Sequence, residues 1–270
     1  MDPARASTTP FTGGARNGVA VSSIAALAPN GTAIATSGGD ARLTAIGNTQ
    51  RQPLLSTLRD GSKVLDTVAM LSTQHTVRMT QSGPNGATRT TEEPFSDKSV
   101  WAVSPNGRFI AVVTQPDGGA DHDVSLFRFD GSRVYSAPIP FPRVAITASD
   151  ARAILNERYD VLLEQLGGKQ AAVPARAEFA RGVFMPRFRV PVSDVVIGDD
   201  GTVVLRGNDW SGKLVEYVWM TPRGVPTGTM TLARQQHLRV VRGNRFWSTV
   251  ETDEGEIRIV PQDLVSAAAR

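Results

Sequence analysis

The chain has 270 residues, 40% hydrophobic and 20% charged, enough for one large all-β domain or two small ones with a real core. Its 29 Lys and Arg against 26 Asp and Glu leave a net charge of +3, too small for a dedicated nucleic-acid binder. Cysteine is absent, which excludes disulfides, Cys-based zinc sites and a Cys nucleophile, and no apolar run reaches the roughly 18 residues that a membrane-spanning helix needs.

The 25 Gly and 17 Pro point to many turns. Residues 1–16 are polar and form a loose N-terminal segment, and 17–270 read as a single domain. The N-terminus has no apolar h-region. This suits a cytosolic start, or a mature, trimmed or mis-started chain, and a periplasmic or exported protein is compatible with a trimmed form.

Strands are expected at Val19–Val21, Ser23–Leu27 and Thr32–Thr36, the last two joined by the Ala28-Pro29-Asn30-Gly31 turn. Arg42–Ile46 and Leu54–Leu58 follow as third and outer strands of the same unit. A weaker second unit is expected from Thr67–Leu71, His75–Gln81 and Ala87–Thr91. A third consists of Val100–Val103, Phe109–Val113, Val124–Phe129 and Val134–Ile139, with Ser104-Pro105-Asn106-Gly107 and Asp130-Gly131-Ser132 as turns.

The pattern then breaks. Thr147-Ala148-Ser149-Asp150 has a hydroxyl at the cap position and an acid three residues on, a capping box. Ala151, Ile154, Leu155, Tyr159, Leu162 and Leu166 fall on one helical face, and Gly167-Gly168 supplies the stop. Pro174–Ala180 is expected as a short second helical turn, so one helical insertion spans 148–181.

Ser193–Leu232 is the most complete unit. Val195–Ile197, Val203–Leu205, Leu214–Met220 and Thr227–Leu232 are short apolar runs joined by tight Asp/Gly, Asn/Gly and Pro/Gly turns, so they must neighbour each other in one antiparallel sheet. The last unit, His237–Val241, Phe246–Val250 and Glu256–Val260, has no fourth strand. First-hairpin turns fall near positions 30, 73, 106, 200 and 243. A period of roughly 40 residues with four strands per unit suits a β-propeller blade. In such a ring Val19–Val21 closes the last unit by supplying its missing strand.

The segments Ser23–Ile46 and Val100–Phe129 resemble the repeats of NHL-type and TolB-type propellers. Residues 150–264 resemble the C-terminal half of bacterial proteins described as six-bladed β-propellers, a largely uncharacterised group. The matching features are the helix before Gly167-Gly168, the run Arg176–Ala180, Asp199-Asp200-Gly201, Trp219–Gly224 and Val241–Trp247. The resemblance implies fold more than function. Six full blades plus the insertion exceed the chain length. The expected fold class is therefore all-β: a β-propeller of about five recognisable four-stranded blades, five-bladed or incomplete six-bladed, with one helical insertion near 148–181.

Four constellations are chemical candidates. Asp117, Asp121, His122 and Asp123 share one loop whose acidic oxygens suit Ca²⁺, although the full calcium-loop pattern is lacking and a polar hairpin loop rich in turn formers is the plainer reading. His75, His122 and His237 lie in different units, without a nucleophile motif beside them. Arg176, Arg181, Arg187 and Arg189 interleave with Phe179, Phe184 and Phe188, a mixture that suits phosphate or an acidic partner. The plainer reading is that the Phe rings clamp the insertion while Arg stems reach water. Trp101, Trp219 and Trp247 fall in strands and suit packing between sheets, whereas Trp210 sits in a turn where a sugar ring would stack.

The expected function is a non-enzymatic binding or interaction module for a protein or small-molecule ligand, acting as a monomer and without a cofactor beyond Ca²⁺. The alternatives are a propeller hydrolase or lyase with a metal at the channel mouth, and an envelope carbohydrate-binding protein.

Overall fold

Short β-branched runs separated by Asn/Asp-Gly turns leave each strand one cheap partner, the next strand in the chain. A computed structural model describes residues 15–16, 19–27, 31–37, 51–58, 64–72, 76–80, 88–92, 98–114, 122–168, 173–183, 185–208, 213–243, 245–252 and 254–263. The described chain is mostly β, and every strand pairing in it is antiparallel.

The first sheet is a meander of β1 (Ala15–Arg16), β2 (Val19–Leu27), β3 (Thr32–Ser37), β4 (Arg51–Leu58) and β5 (Val64–Ser72). A two-stranded ribbon follows, β6 (Thr76–Thr80) with β7 (Thr88–Glu92). The second sheet holds β8 (Val100–Val103), β9 (Phe109–Thr114), β10 (Asp123–Arg128) and β11 (Arg133–Pro138). After α1 (Ala148–Gln165) and α2 (Arg176–Gly182), the third sheet holds β12 (Val192–Ile197), β13 (Val203–Gly207), β14 (Leu214–Met220) and β15 (Pro226–Ala233). The fourth is three-stranded: β16 (Gln236–Arg242), β17 (Arg245–Glu251) and β18 (Ile257–Asp263). None of these sheets closes on itself.

The sheets stack in series because their strands are apolar on both faces. Side chains alternate along a strand, so neighbouring residues serve different cores. In β9, Ile110 and Val112 enter a core shared with Ile34, Leu54 and Val68 of the first sheet. Ala111 and Val113 of the same strand enter a core shared with Val195, Leu205 and Met220 of the third. In β13, Val203 and Leu205 face the second sheet, while Val204 joins Leu238, Val241 and Phe246 of the fourth. Trp219 of β14 meets Phe246 of β17 edge-on, centroids 6.0 Å apart. Burying a ring such as Phe246 contributes about 1.5–3 kcal/mol. Two of the three strand tryptophans pack between sheets: Trp219 is buried, and half-buried Trp101 lies against the core of the first two sheets, while Trp247 is half-buried in β17. β12 packs against β8 and β9 on one side and β16 on the other, so the first strands of three successive sheets are neighbours.

The repeated turns also meet. The Asn106 N–H donates to Asp199 Oδ1 at 2.9 Å, and Asn106 Nδ2 donates to the Asp199 carbonyl at 2.8 Å. Arg242 Nε lies 3.5 Å from Asp199 Oδ2. Asp199 therefore touches the first-hairpin turns of the sheets on either side of its own.

Three expectations are corrected. Residues Thr67–Leu71 do not begin a second unit: β5 pairs along its length with β4 and completes the first sheet. The predicted second unit is reduced to the β6–β7 ribbon, because its remaining strand, Thr88–Glu92, is polar and short and binds only β6. Val19–Val21 does not close the last unit. It is continuous with Ser23–Leu27 in one nine-residue strand that pairs with β1 and β3, the partners nearest in sequence. The described strands therefore do not form five equal four-stranded units, and Ile257 and Ile259 of β18 lie on an open face, 72% and 71% exposed. Arg42–Ile46 lies outside the described residues.

The helical insertion follows its sequence signals closely. The Thr147 Oγ1 accepts from the Asp150 N–H at 3.1 Å and the Asp150 carboxylate accepts from the Thr147 N–H at 3.4 Å, which completes the capping box. α1 ends at Gln165, with Gly167 and Gly168 at positive φ just beyond. Tyr159, Leu162 and Leu166 pack on Phe179 and Val183, and this small core is capped by Met79 of β6 rather than by the four-stranded sheets. No described helix is long and apolar enough to cross a membrane.

One close approach is set by glycine. Gly224, in the turn between β14 and β15, has φ +78°, and a Cβ there would lie 2.7 Å from Cδ2 of Tyr135 in the neighbouring sheet. Burial also pushes the Tyr135 phenol up to about 12. Gly224→Ala is expected to lower stability by about 1–3 kcal/mol, from left-handed strain plus the displaced ring. Urea unfolding measures this, and a loss below about 0.5 kcal/mol would mean the turn does not press on Tyr135.

Candidate functional site

The insertion leaves the second sheet through residues 139–147 and returns to the third through 185–191. Both connections carry proline, which keeps them out of regular helix or sheet: Pro140 and Pro142 on the way out, Pro186 and Pro191 on the way back. They nevertheless pair with each other. Ala145 bridges Phe188, the Arg189 N–H donates to the Val144 carbonyl at 2.8 Å, and the Ile146 N–H donates to the Arg187 carbonyl at 3.1 Å. The result is a short two-stranded neck under the helices.

The neck is pinned to the third sheet. The Asn208 N–H donates to the Pro191 carbonyl at 2.9 Å, extending the β12–β13 pairing in which Val192 sits opposite Gly207. The Phe141 ring lies against that position. A Cβ on Gly207 would stand 3.1 Å from Phe141 Cε1, so only glycine admits the ring without movement. Between neck and sheet opens a cleft of about 320 Å³, lined by Phe141, Pro142, Val144, Arg189, Val190, Pro191, Gly207, Asn208 and Glu216. Its size and apolar walls fall in the range of small-molecule sites.

Arg189 joins cleft and helix. Its Nη2 donates to Asp150 Oδ2 at 2.6 Å, with the Arg189 side chain only 18% exposed. Asp150 is the capping acid of α1, so one carboxylate serves both the helix start and the neck. The Thr147 hydroxyl first, and the Arg189 guanidinium second, hold the Asp150 carboxyl below its ordinary value.

The structure separates the predicted basic cluster. Arg176 pairs with Asp160 and lies over the Tyr159 ring at 4.7 Å. Arg181 donates from Nε to the Ala177 carbonyl at 3.2 Å. Arg187 is exposed on the neck, and Phe188 carries Arg143 over its face at 5.8 Å. Phe179 is buried against Tyr159, centroids 5.6 Å apart, as a clamp within the helix pair. Of these residues Arg189 alone lines the cleft. Phe184 and Trp210 lie outside the described residues, as do Asp117, Asp121 and His75. His122 is half-buried just before β10, its carbonyl accepting from the Ile139 N–H, and Asp123 starts that strand. Among the described residues no three His, Asp or Glu side chains come together as a metal set.

Two clusters escape the sequence reading. The first is the cleft itself, whose charged wall residue Glu216 alternates with the apolar Val215 and Tyr217. A charge within the apolar run Leu214–Met220, together with the Pro-rich junctions, is the available signal. The second is a lateral row across the third sheet, Asp194 beside Arg206 beside Tyr217, meeting His237 of the fourth. Arg206 Nη2 donates to the Arg234 carbonyl at 3.0 Å, and its buried Nε has no hydrogen-bond partner. Burial, then Arg206 and Arg239, hold the His237 imidazole below its ordinary value.

Because Asp150 has a lowered carboxyl pKa in the fold, its contribution to stability is complete above the ordinary aspartate value near 3.8 and is lost as pH falls through the lower folded value. Asp150→Asn is therefore expected to lower the melting temperature at neutral pH, with the gap to the parent closing below about pH 4. Melting curves across that window measure it, and a gap independent of pH would contradict the latch.

No protein-family model matches the chain, and no curated protein matches it significantly.

Proposed function

We propose that this chain is a binding protein of the NHL- or TolB-like β-propeller kind, non-enzymatic, with its ligand seat in the cleft between the neck and the third sheet. The four sheets and the β6–β7 ribbon are its blade-like units. The two-faced burial of consecutive meanders and the adjacency of β8, β12 and β16 support the propeller reading.

The observation that carries the binding reading is the cleft's position. It lies where the helical insertion is spliced into the repeat, the one place that the repeat itself does not need. Repeat scaffolds supply a rigid frame, and function gathers in the segments that depart from it. Here the departure is fastened by the Arg189–Asp150 pair and by the backbone pairing of the neck, so the walls are preorganised.

Chemical-shift mapping of the ¹⁵N-labelled chain against a mixed library of small charged and neutral compounds tests this. Hits are expected to move the amides of Val190, Gly207, Asn208 and Glu216 together. Hits that instead gather on β16–β18, or scatter over the surface, would contradict the assignment of the cleft as the seat.

A further inference from the structure

The basic residues of the insertion suggest an anionic ligand, yet the cleft they flank carries the opposite free charge. Among the described residues Arg189 is the one cation on its wall, and it is already paired with Asp150 at 2.6 Å. Arg176 is turned away onto Asp160 and Tyr159. Glu216 is different. It lines the cleft, and no hydrogen bond or ion pair joins its carboxylate to another described residue. Asn208 lines the same wall, and its side-chain amide likewise has no partner among the described residues.

The register explains why Glu216 faces this way. Val215, Tyr217 and Trp219 of β14 enter the core shared with the fourth sheet, so Glu216, Val218 and Met220 point to the opposite face. Met220 is in the core with the second sheet, and Glu216 lies at the end of that face where the core gives way to the cleft. Gly207 sits beside it: a Cβ there would stand 3.1 Å from the Glu216 carbonyl oxygen, and its absence leaves room for the Phe141 ring. An unpaired carboxylate next to an aromatic ring, an amide and proline walls is complementary to a positive group on an apolar body.

From this juxtaposition we infer that the ligand of the cleft is a small organic cation, an ammonium or guanidinium carried on an apolar or aromatic body. Glu216 neutralises the positive head, Asn208 accepts one of its hydrogen bonds, and Phe141, Pro142 and Val190 cover the body. The inference rests on the cleft being the ligand seat. It reverses the sign of ligand that the Arg-rich segment suggests.

Matched probes test it: phenethylammonium and its carboxylate counterpart, 3-phenylpropionate, each titrated into the full ¹⁵N-labelled chain in the millimolar range. Phenethylammonium is expected to shift Gly207, Asn208 and Glu216 saturably, and 3-phenylpropionate not to. Glu216→Gln, which keeps the side-chain volume at an exposed site, is expected to weaken the ammonium about tenfold or more while leaving the remaining spectrum unchanged. Asn208→Ala is expected to weaken it less. Equal or tighter binding of 3-phenylpropionate at the same amides would keep the cleft as a seat and overturn the charge preference. No saturable shift with either probe would overturn this inference and count against the binding reading too. Unchanged ammonium affinity in Glu216→Gln would remove Glu216 as the selecting group.

Discussion

The arrangement of the sheets depends on inner strands that are apolar on both faces. A sheet buried on one face is content with a single neighbour. β9 and β13 bury consecutive residues, Ile110 through Val113 and Val203 through Leu205, and so need a neighbour on each side. The only way to satisfy that demand with short meanders is to stack them in series, each sheet filling the next. The hairpin turns then have to come side by side, and Asp199 exploits this by bonding a turn on either hand. Close stacking also dictates where bulk is forbidden, as at Gly224 over Tyr135.

The helical insertion stands outside that logic. It has a core of its own around Tyr159, Leu162 and Phe179, and it leans on the β6–β7 ribbon through Met79. The sheets do not need it for burial, so its attachment relies on polar and backbone contacts: the neck pairing and the Arg189–Asp150 bond. Such an attachment leaves space at the seam, because a proline-bearing connection and a glycine-backed ring do not fill a surface as interdigitated aliphatic side chains do. The cleft is that space. Among the described residues its one unpaired charge, Glu216, belongs to the third sheet, whereas its cation belongs to the neck and is neutralised there.

Local features were legible in the sequence. Thr147 and Asp150 mark the start of α1, Gly167-Gly168 mark its end, and Val100–Val103 and Leu214–Met220 are strands with the boundaries their apolar runs indicate. These depend on neighbours a few residues away. Membership of a sheet does not. Val64–Ser72 has the pattern of a first strand, but whether it opens a new unit or completes the old one depends on which edge is free, and it is the β4 edge that takes it, although β6 follows after a shorter loop. The candidate site was less legible still. Its walls come from segments near 141, 190, 207 and 216, and the acids that neutralise the Arg-rich run, Asp150 and Asp160, lie 39 and 16 residues from their partners. A charge count along the chain sees the arginines together, whereas the fold distributes them.

Serial stacking is the claim on which both the fold and the cleft depend, and the absence of cysteine makes it directly testable. Asn106 and Asp199 belong to turns 93 residues apart in sequence that touch only if the second and third sheets lie side by side. A chain carrying Asn106→Cys and Asp199→Cys is predicted to form an intramolecular disulfide on mild oxidation, seen as a faster-migrating, reductant-sensitive monomer. Persistence of both free thiols under oxidation, or crosslinks formed only between molecules, would contradict the stacked arrangement.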